Sequence, residues 1–207
     1  MVPLGTDGES EPTPAAVSEV KSRYHLPDEY CLYLGTIEPR KNIPALIRSW
    51  DSIAADSACD LVIAGREGWK TRTFRDALQR ATHRDRIHVL GFVPEADRVP
   101  LMAGAAVFVW PSLYEGFGLP PLDAMALGTP VLTSDTSSMP EVCENAALLV
   151  DPHDENSIAT GLQQILSDDK LRDQLEHAGR DRAHRLSWSR TVEYTIDAYQ
   201  RALRMRR

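Results

Sequence analysis

Short apolar runs alternate with amphipathic stretches along most of the chain. Tyr30–Leu34, Asp60–Ala64, Ile87–Leu90, Ala106–Trp110, Pro130–Thr133 and Ala147–Val150 are brief and largely apolar. Such runs predict buried strands, because a strand covered on both faces of a parallel sheet needs no polar side. Helical patterns separate them: a weak one over Ala15–Tyr24, then Ile43 to about Ala55, Thr71–Ala81, Glu95–Ala103 and Leu119–Leu127, with only a short turn at Met139. Pro120 and Pro121 fit the last of these because a first helical turn tolerates proline. Glu155–Leu166, Asp169–Arg185 and Ser189–Met205 predict three closing helices. This alternation predicts an α/β fold, a Rossmann-like open parallel sheet with helices on both faces. Gly8–Pro14, rich in Pro, Glu and Ser, reads as a linker.

Composition narrows the class. A length of 207 residues with 43% hydrophobic content suits one domain of generous size. A net charge of −7 argues against a general nucleic-acid binder, which needs a basic face. No apolar run approaches the roughly 20 residues needed to span a bilayer, and no signal peptide opens the sequence. Cys31, Cys59 and Cys143 are odd in number and lack zinc spacing, which predicts buried thiols in a reducing, cytoplasmic setting. The six histidines are scattered; only His88 falls in a predicted strand, and none reads as a catalytic base or metal ligand. Trp69 and Trp110 read as packing residues, Trp69 with the option of rimming a cleft.

Glu115-Gly-Phe-Gly-Leu-Pro-Pro-Leu-Asp123 carries the most chemistry. An acid ends the run Ala106–Trp110-Pro111, a glycine turn follows, and a helix begins with a second acid eight residues on. A helix start presents unpaired N–H groups and partial positive charge, which suits a phosphate. Flanking carboxylates can accept hydrogen bonds from hydroxyls, so the segment fits a sugar nucleotide. Two other readings stay open. Gly116-Phe-Gly118 opens like a dinucleotide fingerprint, with Asp135 spaced as a ribose acid, although Pro121 stands where the third glycine belongs. The turn could also be structural, with both acids solvated.

Tyr33-Leu-Gly-Thr-Ile-Glu-Pro-Arg-Lys-Asn42 repeats the strand, turn, helix order. Arg40 and Lys41 fall in its loop, over the sheet edge where open parallel sheets bind ligands. Adjacent cations there can clamp a diphosphate, and cations at a helix start oppose the macrodipole unless an anion joins them. Gly65-Arg-Glu-Gly68, Phe92-Val93-Pro94 and Ser134–Ser138 end other strands at the same edge, though ordinary turn chemistry explains them equally well.

The two motifs, in this order and about 75 residues apart, resemble the C-terminal domain of retaining GT-B glycosyltransferases of family 4, which pair an Arg-Lys loop with a Glu-x7-Glu motif. The likeness covers nearly the whole chain. It implies a glycosyltransferase that moves a sugar from a nucleotide sugar, such as GDP-mannose or a UDP-sugar, to an acceptor hydroxyl in polysaccharide or glycoconjugate synthesis. Arg40 and Lys41 would bind the diphosphate and Glu115 the sugar hydroxyls. The amides around Phe117, Gly118 and Leu119 would approach the sugar and phosphates. Asp123, one methylene shorter than the family's second Glu, would hold the ribose. Val93 would lie at the base, and Gly35, Gly65, Gly116 and Ser138 complete the donor-contacting set. No cofactor is expected beyond the donor itself. The Asp-x-Asp by which glycosyltransferases of the other large fold hold a metal does not occur, so no metal is expected either.

The resemblance also divides the chain. Residues 1–14 would be the end of an N-terminal domain and a linker, 15–188 the nucleotide-sugar-binding domain, and 189–207 a helix packing toward that N-terminal domain. The missing domain would carry the acceptor site, and the chain alone would be an excised half with little or no turnover. Arg180–Arg185 and the Arg204–Arg207 tail offer a handle for peripheral contact with an anionic membrane, a solvated charged face being the simpler account. A nucleotide-sugar-binding module serving a separate chain, or an epimerase or phosphorylase of the same architecture, are the alternatives. For a phosphorylase, no lysine sits in a pyridoxal-bearing context.

Overall fold

The computed structural model describes residues 3–6 and 11–205. Residues 8–10 of the expected linker and the last two residues of the arginine tail therefore lie outside the described residues. The strands are β1 (Tyr30–Leu34), β2 (Asp60–Ala64), β3 (Ile87–Gly91), β4 (Val107–Trp110), β5 (Val131–Ser134) and β6 (Leu148–Val150). They form one sheet in the order β3-β2-β1-β4-β5-β6, parallel at every junction. β1, β4 and β5 are buried along their whole length, as their unbroken apolar runs require.

The helices are α1 (Pro14–Arg23), α2 (Ile43–Ile53), α3 (Arg72–Arg80), α4 (Glu95–Ala103), α5 (Leu119–Ala126), α6 (Met139–Cys143), α7 (Glu155–Ser167), α8 (Asp169–Arg185) and α9 (Trp188–Arg204). In α2, Ile43, Leu46, Ile47 and Trp50 recur at helical spacing and are fully buried. Each such side chain contributes about 1.5–3 kcal/mol of burial, which holds the helix to the sheet. Asp154 and Asp168 cap α7 and α8 by accepting from Asn156 N at 2.9 Å and Leu171 N at 3.0 Å. The turn expected at Met139 is the short helix α6, whose first turn absorbs Pro140.

Sheet order positions the site. From β1 the chain leaves for β2 on one side, and from β4 it leaves for β5 on the other. The loops after β1 and β4 therefore diverge and leave a crevice between them at the carboxyl edge. Elsewhere, Cys31, Cys59 and Cys143 are free and buried, with Cys31 Sγ 3.6 Å from Cys59 Sγ. Helix α9 buries none of its residues; Trp188, Val192, Ile196, Tyr199 and Leu203 form an exposed stripe at helical spacing. Thr6 N donates to Leu186 O at 2.8 Å and Thr191 Oγ1 to Pro3 O at 2.9 Å, so the opening segment lies beside the start of α9. Among the described residues no helix is long and apolar enough to cross a membrane.

Candidate functional site

The loop after β1 is built to face β4. Its first part is sewn to the loop after β2: Ile37 N donates to Arg66 O and Gly68 N to Ile37 O, each at 2.9 Å. Gly65 has φ 143°, and a Cβ there would lie 1.9 Å from Gly35 O, so only glycine fits this close approach. Pro39–Lys41 then forms one 3-10 turn, ended by Asn42 in the left-handed region at φ 59°. The Asn42 amide donates to Pro152 O at 2.7 Å, which fixes the chain's entry into α2. Across the crevice, Leu113 N donates to Arg40 O at 2.8 Å and ties the two loops together.

Charge collects at that junction. Lys41 Nζ lies 2.6 Å from Glu115 Oε1, and Arg40 Nη1 lies 2.7 Å from Oε2. Arg40 also pairs through Nε with Glu38 Oε1 at 2.6 Å. Arg40 and Glu115, distant in sequence, thus share one hollow. The two cations differ sharply: the Lys41 side chain is 7% exposed and that of Arg40 is 45% exposed. Burial pulls the Lys41 ammonium below its ordinary range, and Glu115 only partly offsets this. Burial alone would raise Glu115, but Lys41 first, then the neighbouring Ser112 hydroxyl and Arg40, hold its carboxyl below the ordinary range.

Trp110 lies beneath the pair. Its Nε1 donates to Glu115 Oε1 at 3.1 Å, and Lys41 Nζ sits 4.1 Å from its ring centroid. The indole is stacked on Tyr33 at 5.1 Å and on Phe108 at 5.8 Å. It is a packing residue, as its sequence context suggested, and it also touches both partners of the ion pair.

The glycine turn runs from Glu115 into α5. Gly118 has φ 105°, and a Cβ there would lie 2.2 Å from Met139 Cε, so a side chain is doubly disfavoured. Pro120 and Pro121 carry no N–H, so the donors at this helix start are the amides of Gly116, Phe117, Gly118 and Leu119. The loop after β5 supports the turn from below. Glu115 N donates to Ser137 Oγ at 3.0 Å, and Ser138 Oγ donates to Glu115 O at 3.1 Å and Phe117 O at 2.9 Å. Asp123 is half-buried on α5.

Beside this cluster a cavity of about 420 Å³ opens at the carboxyl ends of β1, β2 and β3. Gly35, Gly65 and Val93 line it, together with Arg66, Phe92 and Pro120. Phe92 is 59% exposed, and the Arg66 guanidinium stacks on it at 4.2 Å. Trp69 is exposed and its Nε1 donates to Glu38 Oε2 at 3.1 Å, but it is not among the residues that line this cavity. Another cavity, of about 310 Å³, opens near Glu29, Cys59 and Arg172, and no candidate residue lines it. Among the described residues no group of three or more His, Cys, Asp or Glu could hold a metal ion. His88 instead meets Asp60 Oδ2 at 2.8 Å.

The structure therefore gathers Arg40, Lys41 and Glu115 at one point, with the turn 116–119 beside Glu115, and places Gly35, Gly65 and Val93 around the adjoining cavity. Sequence reasoning assigned nothing to Glu38, which sits inside the motif two residues before Arg40, nor to the Trp110 N–H and the Arg66–Phe92 stack. Glu38 was visible as a third charge in its loop; the other two carry no sequence signal beyond residue type.

Comparison with known proteins places this geometry. Residues 18–182 match the family described as Glycosyl transferases group 1. O-antigen chain mannosyltransferase B of Escherichia coli is 38% identical over 191 residues, covering 91% of this chain and 50% of that protein. Serotype-specific mannosyltransferase WbdA of Escherichia coli is 34% identical over 192 residues, covering 90% of this chain and 23% of that protein. The chain thus spans half or less of these two relatives. Sucrose-phosphate synthase from Thermosynechococcus elongatus superposes with a TM-score of 0.81 at 26% identity, covering 99% of this chain and 52% of that one. The C-terminal domain of a glycosyl transferase group 1 protein, LpcC, from Francisella tularensis has the same fold, with a TM-score of 0.74 at 23% identity over 87% of this chain and 97% of that one.

Proposed function

Because the chain belongs to the glycosyl transferases group 1 family, we propose that it is the donor-binding domain of a retaining glycosyltransferase acting in polysaccharide or glycoconjugate synthesis. The observation that carries this reading is the meeting of Arg40 and Lys41 with Glu115 across the crevice where the strand order reverses. In the free protein the carboxylate occupies the two cations. A bound diphosphate takes them over, and Glu115 turns to hydroxyls of the transferred sugar. Amides of the turn 116–119 and the positive end of α5 add to the anion site. The ribose reaches Asp123, and the base enters the cavity beside Val93 with Phe92 as its platform.

Transfer leaves a nucleoside diphosphate carrying an extra negative charge. Arg40 and Lys41 stabilise that charge as it develops, which lowers the barrier to breaking the sugar–phosphate bond. Glu115 orients the sugar and does not attack it. The diphosphate remains on the face where the acceptor hydroxyl arrives, so the anomeric configuration is retained. These groups meet the leaving charge without a metal ion, and unchanged donor binding in chelator would agree. GDP-mannose is the first donor to try, since the two relatives named above are mannosyltransferases by name; a UDP-sugar is the alternative.

The exposed stripe on α9 fits a second domain that brings the acceptor. Isothermal calorimetry with GDP, GDP-mannose, UDP and UDP-glucose tests the donor assignment. Wild type is expected to bind one nucleotide family, and Glu115→Ala to lose the contribution of the sugar while keeping the nucleoside diphosphate. Absence of binding to all four would remove the reading.

A further inference from the structure

Trp110 touches both members of the buried ion pair, and its position has a consequence for the bound state. In the free protein Glu115 accepts from Lys41 and Trp110 at Oε1 and from Arg40 at Oε2. If the donor's phosphates take Arg40 and Lys41, as in the function proposed above, the carboxylate loses both counterions in a buried site. A carboxylate so stripped takes up a proton, because burial disfavours its charged form. A protonated Glu115 would be a poorer acceptor for sugar hydroxyls.

The indole cannot leave with the cations. It is 1% exposed and stacked on the Tyr33 and Phe108 rings. Its N–H carries no net charge, so a phosphate gains little by drawing it away. We propose that Trp110 is the positioning residue that keeps Glu115 ionised and aimed during donor binding. The indole N–H holds Oε1 in place, Oε2 is released by Arg40 to accept a sugar hydroxyl, and the ring face keeps Lys41 under the phosphates. Phenylalanine would fill the same stack and supply no donor. This role rests on the donor-site reading and deepens it.

The charged and titratable groups facing Glu115 are few. Arg40 and Lys41 come from the β1 loop, Glu38 acts through Arg40, and Tyr33 comes from β1. Burial pushes the Tyr33 phenol up, so it stays neutral and its hydroxyl donates to Thr36 O at 2.9 Å. Lys41, whose ammonium burial pulls down, is common to wild type and to a Trp110 variant, so a proton gained by the variant alone would settle on Glu115.

The test is Trp110→Phe in this chain, with calorimetry of GDP-mannose and UDP-glucose in buffers of different ionisation enthalpy. Relative to wild type, the variant is expected to take up an additional proton on binding the nucleotide sugar and to bind it about tenfold more weakly, the worth of a hydrogen bond to a charged group. Uptake on binding means that the variant's affinity falls as pH rises, an added slope that wild type lacks. GDP and UDP, which present no sugar, are expected to lose less. A variant with wild-type proton count and affinity overturns the inference and leaves the donor site standing. Failure of wild type to bind any of the four ligands overturns both. If Trp110→Phe does not fold, exchange of the Trp110 indole N–H in wild type decides, since the chain has only 4 tryptophans. Slow exchange with and without nucleotide sugar supports the role, and loss of protection on binding overturns it.

Discussion

At the β1–β4 junction the carboxyl edge of the sheet buries charge, whereas over β2 and β3 it exposes apolar surface. Lys41 and Glu115 are nearly closed off from solvent and already paired. Phe92, by contrast, stands 59% exposed over an open cavity, with Arg66 laid across its face. The first region can accept an anion only by exchanging one partner for another. In the proposed function its worth lies in selecting a diphosphate and in meeting the charge of a departing one, because desolvation of the pair has been met in folding. The second has unfilled space and apolar surface, so it gains by burial alone. A nucleotide sugar has one part suited to each, and in the proposed function the two belong to one site.

Lys41→Ala should break this contrast most severely. It strands Glu115 in a buried position, at a stability cost of about 3–5 kcal/mol. It also removes a charge-assisted bond to phosphate worth about 2–3 kcal/mol, so the dissociation constant for the nucleoside diphosphate is expected to rise roughly 30- to 150-fold. Thermal melts beside calorimetry separate the two effects. Arg40→Ala, at a half-exposed position with Glu38 as a second partner, should lose less on both counts. Equal losses would mean that burial does not distinguish these neighbours.

Phe92→Ala sharpens the comparison from the other side. Loss of a stacking platform costs about 1–2 kcal/mol, or roughly 5- to 30-fold in affinity, by analogy with base–aromatic contacts elsewhere. The loss should be the same for a nucleoside diphosphate and its sugar conjugate, because the proposed function puts Phe92 with the base. Melting temperature should barely move, since the ring is exposed. A loss seen only with the sugar conjugate would mean that the cavity beside Val93 holds the carbohydrate.

Much of this was legible in the chain. Buried parallel strands leave unbroken apolar runs, and those of β1 and β2 read with their ends unchanged. The segment at Met139 read as a turn because Pro140 and a span of only five residues give little helical period, and packing decided it. Arg40, Lys41 and Glu115 stood out by residue type and by their place after strands. What could not be read was their inequality. One 3-10 turn and a left-handed Asn42 expose Arg40 and bury Lys41, and no pattern of hydrophobic and polar residues encodes that. Trp110 read as packing because its neighbours are apolar; the destination of its N–H depends on Glu115, which lies beyond the strand end.

The central claim is that one nucleotide sugar spans both regions of the carboxyl edge. Nuclear magnetic resonance titration of this chain with GDP-mannose and UDP-glucose, following the backbone amides of Lys41, Glu115, Gly65 and Phe92, measures it directly. All four are expected to shift along one binding curve with a single dissociation constant for the productive donor. Shifts confined to one region, or two curves with different constants, would contradict a shared site.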